Sequence, residues 1–191
     1  VNIPKTEFIF PNKQSIDMLN TFDAINLMVE EQKKAATEVM NAIKSVELAI
    51  NGIYKHLKSN PKGRLIYVGA GTSGRIGVQD GIELFPTFNW PKNRLDFIMA
   101  GGKDALLASI ENVEDDEKKA EYVVQKKVIS SKDVVIGIAA SGNTPFTCKV
   151  LEKAKLKKAL TIAISNNPSG RILDFGSYKI ILDTKEEVFA G

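Results

Sequence analysis

Five short, nearly continuous apolar runs punctuate the chain: Leu65–Val68, Leu95–Met99, Val134–Ala139, Leu160–Ile164 and Tyr178–Leu182. Runs of that length without alternation suit strands whose two faces are both covered. Before and between them, apolar residues recur at helical spacing. The longest such stretch runs from about Glu30 to Lys58, where Ala35, Val39, Ile43, Val46, Ile50, Ile53 and Leu57 share a face. Shorter ones fall near residues 74–85, 103–111, 115–127 and 145–157, and Ser15-Ile16-Asp17 opens another. Asn60-Pro61-Lys62-Gly63 breaks the chain before the first strand, and Pro4 and Pro11 mark residues 1–14 as an extended arm. Strand alternating with helix predicts an α/β fold, a three-layer doubly wound parallel sheet of five strands with an N-terminal helical extension. The expected division is an arm with helices over residues 1–60 and the sheet domain over 61–191.

In such sheets, ligands sit beyond the carboxyl ends of the strands. The first strand runs straight into Gly69-Ala70-Gly71-Thr72-Ser73-Gly74, and a helical pattern follows at once. A strand–turn–helix junction of this kind leaves backbone N–H groups without partners at the positive end of a helix dipole. Thr72 and Ser73 add hydroxyl donors, and Gly71 and Gly74 let an anion approach the backbone. The turn reads as a phosphate cradle, against the plainer reading of a glycine-rich connection that binds nothing. Its spacing satisfies the dinucleotide pattern, but that pattern wants an acidic residue ending the next strand, and Asp96 opens that strand instead. No Gly-Lys-Ser/Thr follows, so it is not a nucleotide P-loop. After the third strand, Ser141-Gly142-Asn143-Thr144-Pro145 repeats the grammar, with Pro145 suited to a first helical turn. Ser, Asn and Thr there are also ordinary helix caps. Paired with the first turn, they offer a second wall for a sugar phosphate.

Composition narrows the chemistry. Of the 191 residues 43% are hydrophobic and 26% charged, the mix of an ordinary globular chain, and a net charge of +3 is too small to imply nucleic acid. No apolar run approaches membrane-spanning length. One cysteine, Cys148, rules out an internal disulfide and is compatible with a reducing cytoplasm, the expected location. The one histidine, His56, falls at the end of a Lys-rich helix and reads as a solvated helix-end residue. No metal site is expected. Acid–base chemistry is left to carboxylates, lysines and tyrosines.

The ordered motifs carry a specific resemblance. Residues 64–88, from Arg64-Leu65-Ile66-Tyr67 through Pro86-Thr87-Phe88, resemble the N-acetylmuramic acid 6-phosphate etherases. So do Ala100-Gly101-Gly102 with Ala105-Leu106-Leu107, Glu111-Asn112-Val113-Glu114-Asp115-Asp116 and Gly137–Pro145. Thr6-Glu7 and Ser165-Asn166-Asn167-Pro168 are similar too. That family is a branch of the sugar isomerase (SIS) domain superfamily, related to the glucokinase regulatory protein, and its sheet is flavodoxin-like. The chain departs from the pattern at Phe85, bulkier than expected beside Glu83. It also stops at Glu186-Glu187-Val188-Phe189-Ala190-Gly191, where the family runs on into a Ser-Thr-Arg and Lys-Ala-Gly-Thr segment and a helical tail.

The resemblance implies elimination and hydration without metal or organic cofactor. A base removes the C2 proton of an open-chain phosphorylated amino sugar, the D-lactyl ether leaves C3 with help from an acid, and water adds at C3. It implies Glu83 as the acid and Glu114 as the base, with Gly71, Thr72, Ser73, Gly74, Ser141, Gly142, Asn143 and Thr144 holding the substrate, in a homodimer. From the residues alone, Glu114 is not separable from Asp115 or Asp116, since an acidic run before a helix is routine. Ile82, Leu84 and Phe85 give Glu83 an apolar setting, expected to favour its protonated form. An unbroken helix would carry Glu83 about 15 Å from Ser73 at ~1.5 Å per residue, so a site shared between two subunits is expected. The alternatives are a non-catalytic phosphosugar-binding or regulatory module, or an inactive fragment of the etherase.

Overall fold

The computed structural model describes residues 15–185. The arm expected over residues 1–14, with Thr6-Glu7, and the closing stretch from Glu186 lie outside the described residues. Two helices come first, α1 (Thr21–Asn41) and α2 (Ile43–Ser59). They alternate thereafter with strands: β1 (Leu65–Gly69), α3 (Gly71–Phe88), β2 (Leu95–Met99), α4 (Glu117–Lys126), β3 (Val134–Ile138), α5 (Pro145–Leu156), β4 (Leu160–Ser165) and β5 (Tyr178–Ile181). All strand pairs are parallel, in the order β2-β1-β3-β4-β5. That is the doubly wound, flavodoxin-like arrangement, and its strand order reverses between β1 and β3.

Each strand feeds both faces of the sheet. Ile66, Val68 and Val135 point into a core with Ala120 and Val124 of α4 and Phe146, Val150 and Leu151 of α5. Leu65, Tyr67, Val134 and Ile136 point the other way, toward Ala49 and Leu57 of α2 and Leu84 of α3. The result is three layers, which is why the strands read as unbroken apolar runs.

Two expectations for helices are corrected. The long pattern from Glu30 to Lys58 is two helices, separated at Ala42, whose ψ of 1° leaves the helical range. No residue of α1 is buried, whereas α2 lies on β3, β4 and β5. The helix expected near 103–111 is a single 3-10 turn at Asp104–Leu106. It follows Gly101 and Gly102, whose φ values of 79° and 72° turn the backbone in a way a helix start does not. A further 3-10 turn at Arg171–Phe175 has no counterpart in the sequence reading. Among the described residues, no helix is long and apolar enough to cross a membrane.

A buried ion pair closes the amino edge of the sheet. Asp133, 2% exposed, accepts hydrogen bonds from Arg64 Nε at 3.1 Å and Nη2 at 3.0 Å, and from the backbone N–H groups of Arg64 and Ser130. Arg64 also donates to the carbonyl of Lys127 at 3.0 Å and pairs with Asp96, which Lys127 holds in turn. Burial alone would push the Asp133 carboxyl up, but the Arg64 bonds and charge hold it below the usual carboxylate range. Asp133 is thus more acidic folded than unfolded. Its stabilisation is complete above the unfolded value near pH 4 and fades as pH falls through the lower folded value.

Replacing Asp133 by Ala strands the half-buried guanidinium, and we expect a loss of about 3 kcal/mol or more in urea unfolding at pH 7. Asp133→Asn flattens the stability–pH curve below pH 4. An unchanged unfolding midpoint in Asp133→Ala would contradict this role.

Candidate functional site

The cleft of interest lies where the strand order reverses. β1 ends at Gly69, and α3 starts two residues later because the two elements touch through glycine. A Cβ on Gly69 would lie 2.6 Å from Gly74 Cα, and one on Gly74 would meet Met99 Sδ and lie 2.8 Å from the Gly69 carbonyl carbon. Ala70 at the N-cap offers no side-chain hydrogen bond to the first turn. The N–H groups of Gly71, Thr72 and Ser73 therefore start α3 without helical or capping partners, beside the positive end of its dipole.

Around that turn is an open cavity of about 600 Å³. Gly71, Thr72 and Arg75 of α3 form one wall, Ser109, Glu111, Asn112 and Glu114 another, and Thr144 closes the side toward β3. Of the residues read from the sequence, the structure brings Gly71, Thr72, Thr144 and Glu114 into one space. Ser73 and Gly74 share the turn with Gly71 and Thr72 but do not line the cavity.

The second turn is mostly engaged in holding itself. Ser141 Oγ accepts from the Asn143 N–H at 3.2 Å, and the Ser141 carbonyl accepts from Asn167 Nδ2 at 3.1 Å. Asn143 Oδ1 accepts from the Arg171 N–H at 3.0 Å, anchoring the 3-10 turn that follows β4. Gly142, at φ 72°, packs so closely that a Cβ would lie 2.5 Å from Gly170 Cα. Thr144 makes no side-chain cap on α5 and stands at the cavity instead. The α5 N-terminus is capped from elsewhere: the Phe146 N–H donates to the Glu114 carbonyl at 2.8 Å. That bond fixes the Glu114 backbone between the two turns.

Glu83 is placed elsewhere. α3 is continuous from Gly71 to Phe88, so Glu83 lies ten residues along it from Ser73 and outside the cavity lining. It is exposed, as are Ile82 at 53% and Phe85 at 41%. A single chain does not build the apolar setting expected around it.

Two other groups are removed from the chemistry by burial. Cys148 is fully buried in α5, donates weakly to the Gly142 carbonyl at 3.5 Å, and is pushed up to about 11 by burial, so its thiol stays neutral. Tyr67 faces the opposite layer and donates to Asp80 at 2.8 Å, with burial holding its hydroxyl protonated. His56 is half-buried with Nε2 shut off from solvent, so the solvated helix end expected of it is corrected.

The sequence reading missed Arg75, Ser109, Glu111 and Asn112 as cavity residues. Arg75 was legible as the fourth residue after Gly71, one helical turn on and so above the same turn of α3. Ser109 and Glu111 were obscured because their segment, 103–111, scanned as helix.

The sequence profile of the glucokinase regulatory protein N-terminal SIS domain matches residues 46–155, more than half of the chain. Curated relatives include the N-acetylmuramic acid 6-phosphate etherases of Deinococcus radiodurans, 37% identical over 98% of this chain, and of Clostridium acetobutylicum, 38% identical over 97%. In each case the match spans 61% of the relative's own length. Among solved structures, a phosphoheptose isomerase from Francisella tularensis superposes with a TM-score of 0.64 over 86% of each chain at 20% identity, a likeness of fold. The chain belongs to the SIS-domain family, in the branch of the glucokinase regulatory protein N-terminal domain, with N-acetylmuramic acid 6-phosphate etherases as its curated relatives.

Proposed function

We propose that the cleft binds a phosphorylated amino sugar and that the chain works as an etherase of the kind its curated relatives are named for. The observation that carries this reading is the meeting of the uncapped α3 turn, Thr144 and Glu114 in one cavity at the β1–β3 reversal. The phosphate sits on the N–H groups of the Gly71–Ser73 turn with the Thr72 hydroxyl, and Ser73 and Gly74 complete the turn that keeps the approach close. Thr144 faces the ligand from the second turn, and Ser141, Gly142 and Asn143 hold that turn in place.

Glu114 then faces the sugar as the base. It takes the C2 proton of the open-chain form, the electron pair forms the C2–C3 double bond, and the C3–O bond breaks. The departing lactate oxygen takes a proton from Glu83. Water adds at C3 and a proton returns to C2, giving N-acetylglucosamine 6-phosphate and D-lactate. No step calls for a metal or an organic cofactor.

Glu83 of the same chain is too far along α3 to serve its own cleft, at about 15 Å from Ser73. In this reading it serves the cleft of a second copy, in a cytoplasmic homodimer that binds neither nucleic acid nor membrane. The exposed apolar residues beside it, Ile82 and Phe85, support burial of this stretch against a partner. The second reading, a regulatory phosphosugar-binding module, is favoured by Glu83's exposure outside the cleft. It keeps the phosphate site and loses the reaction.

D-lactate release from N-acetylmuramic acid 6-phosphate separates the two. The etherase reading expects lactate from the unmodified chain and a loss of at least a hundredfold in both Glu83→Gln and Glu114→Gln. Thermal stabilisation by the sugar phosphate with no lactate from the unmodified chain selects the binding module.

Mixing the two inactive variants tests the shared site. Random reassortment places both native carboxylates in one of the two clefts of each mixed dimer. About a quarter of the unmodified activity then returns. Mixed dimers that form and stay inactive would contradict a shared site.

A further inference from the structure

We infer that Arg75 is a positioning residue that holds the Glu114-bearing loop against the α3 turn. The inference rests on the etherase reading of the cleft. Arg75 stands one turn into α3, and that part of the helix is fixed on the sheet. Gly74, Gly77 and Gly81 are buried, and a Cβ on Gly81 would lie 2.5 Å from the Phe97 ring. The guanidinium reaches sideways from this base to another part of the chain. Nε donates to the Ala105 carbonyl at 3.0 Å and Nη2 to the Ala108 carbonyl at 3.1 Å. Among the described residues, Arg75 has no carboxylate within ion-pair distance, and it is the only Lys or Arg lining the cavity.

Those two carbonyls belong to a segment of little regular structure, held otherwise by the buried Ala105 and by Val113 packed on the core. From Gly101 to Asp116 the only regular structure is the 3-10 turn at Asp104–Leu106, and Leu107 is 97% exposed. The same segment supplies Ser109, Glu111, Asn112 and Glu114 to the cleft. It is tied at its far end by the Phe146 N–H to the Glu114 carbonyl. Arg75 supplies the near tie. With Val113 packed on the core, the two ties hold Ala108–Glu114 along the cleft wall between α3 and α5, which sets where the Glu114 carboxylate stands over a sugar held on Gly71–Ser73. A planar guanidinium with two N–H groups in a fixed fork can serve two carbonyls three residues apart. A lysine ammonium, a compact point charge on a flexible stem without the planar fork, holds the pair poorly.

The function follows from the sensitivity of proton transfer to placement, where about 1 Å of misplacement costs on the order of a hundredfold in rate. Loosening the loop lowers kcat while leaving the phosphate cradle, and so KM, nearly intact. It also leaves Glu114 in place as a chemical group, so activity is reduced and not abolished.

The test compares the unmodified chain with Arg75→Ala and Arg75→Lys, each first shown to be folded by thermal unfolding. Amide hydrogen exchange without ligand is expected to rise about tenfold or more across 104–114 in Arg75→Ala, less in Arg75→Lys, and to stay unchanged in β1 and β3. Lactate release is expected to fall on the order of a hundredfold in kcat with KM changed less than about threefold, Arg75→Lys being intermediate. Unchanged exchange at 104–114 overturns the tie. Raised exchange with unchanged kcat, or an effect on KM alone, overturns the positioning role. An unmodified chain that binds the sugar phosphate but releases no lactate takes away the etherase reading, and the role of Arg75 in catalysis goes with it.

Discussion

The close contact between Gly69 and Gly74 governs the architecture of the cleft. Because neither residue carries a Cβ, α3 begins directly over the end of β1 instead of after a longer loop. That proximity puts three unpartnered N–H groups at the point where the sheet order reverses. It also presses α3 onto β1 and β2, so that Arg75 projects from a rigid surface. A side chain at either glycine would separate the helix from the strand and move all of these groups together.

Around that contact the molecule divides its work between stable and adjustable parts. The amino edge of the sheet is closed by the Arg64–Asp133 pair and its bonds to Asp96 and Lys127, at the opposite end of the strands from the cleft. The carboxyl edge carries the turns and the irregular segment from Gly101 to Asp116. Such a segment is tolerated where binding groups must face solvent and a substrate. Its position is set by neighbours, Arg75 at one end and Phe146 at the other, and not by its own secondary structure.

This also explains which features could be read from the chain. The five strands were legible because both faces of each are covered, so their residues are apolar without interruption. The turn at Gly69–Gly74 was legible because backbone proximity demands glycine. The segment at 103–111 was misread because Ala105, Leu106 and Ile110 sit at helical spacing. Their burial is shaped by the positive-φ pair Gly101 and Gly102 and by the distant guanidinium, neither of which appears in a local pattern. The setting of Glu83 was misread for a related reason: apolar neighbours in sequence lie around the helix, and on α3 the glycine face is the one turned to the sheet. Ser141 and Asn143 looked like ligand donors, and their bonds to Asn143, Asn167 and Arg171 depend on contacts formed only when β3, β4 and the turn after it come together.

On the proposed reading, the uncapped first turn of α3 is a sugar-phosphate cradle facing Glu114. Titrating the 15N-labelled chain with N-acetylglucosamine 6-phosphate and following the backbone amides tests it most directly. The largest shifts are expected at Gly71, Thr72 and Ser73, with smaller ones at Thr144 and Glu114 and none along the amino edge near Asp133. Shifts concentrated away from the α3 turn, or absent at saturating sugar phosphate, would contradict it.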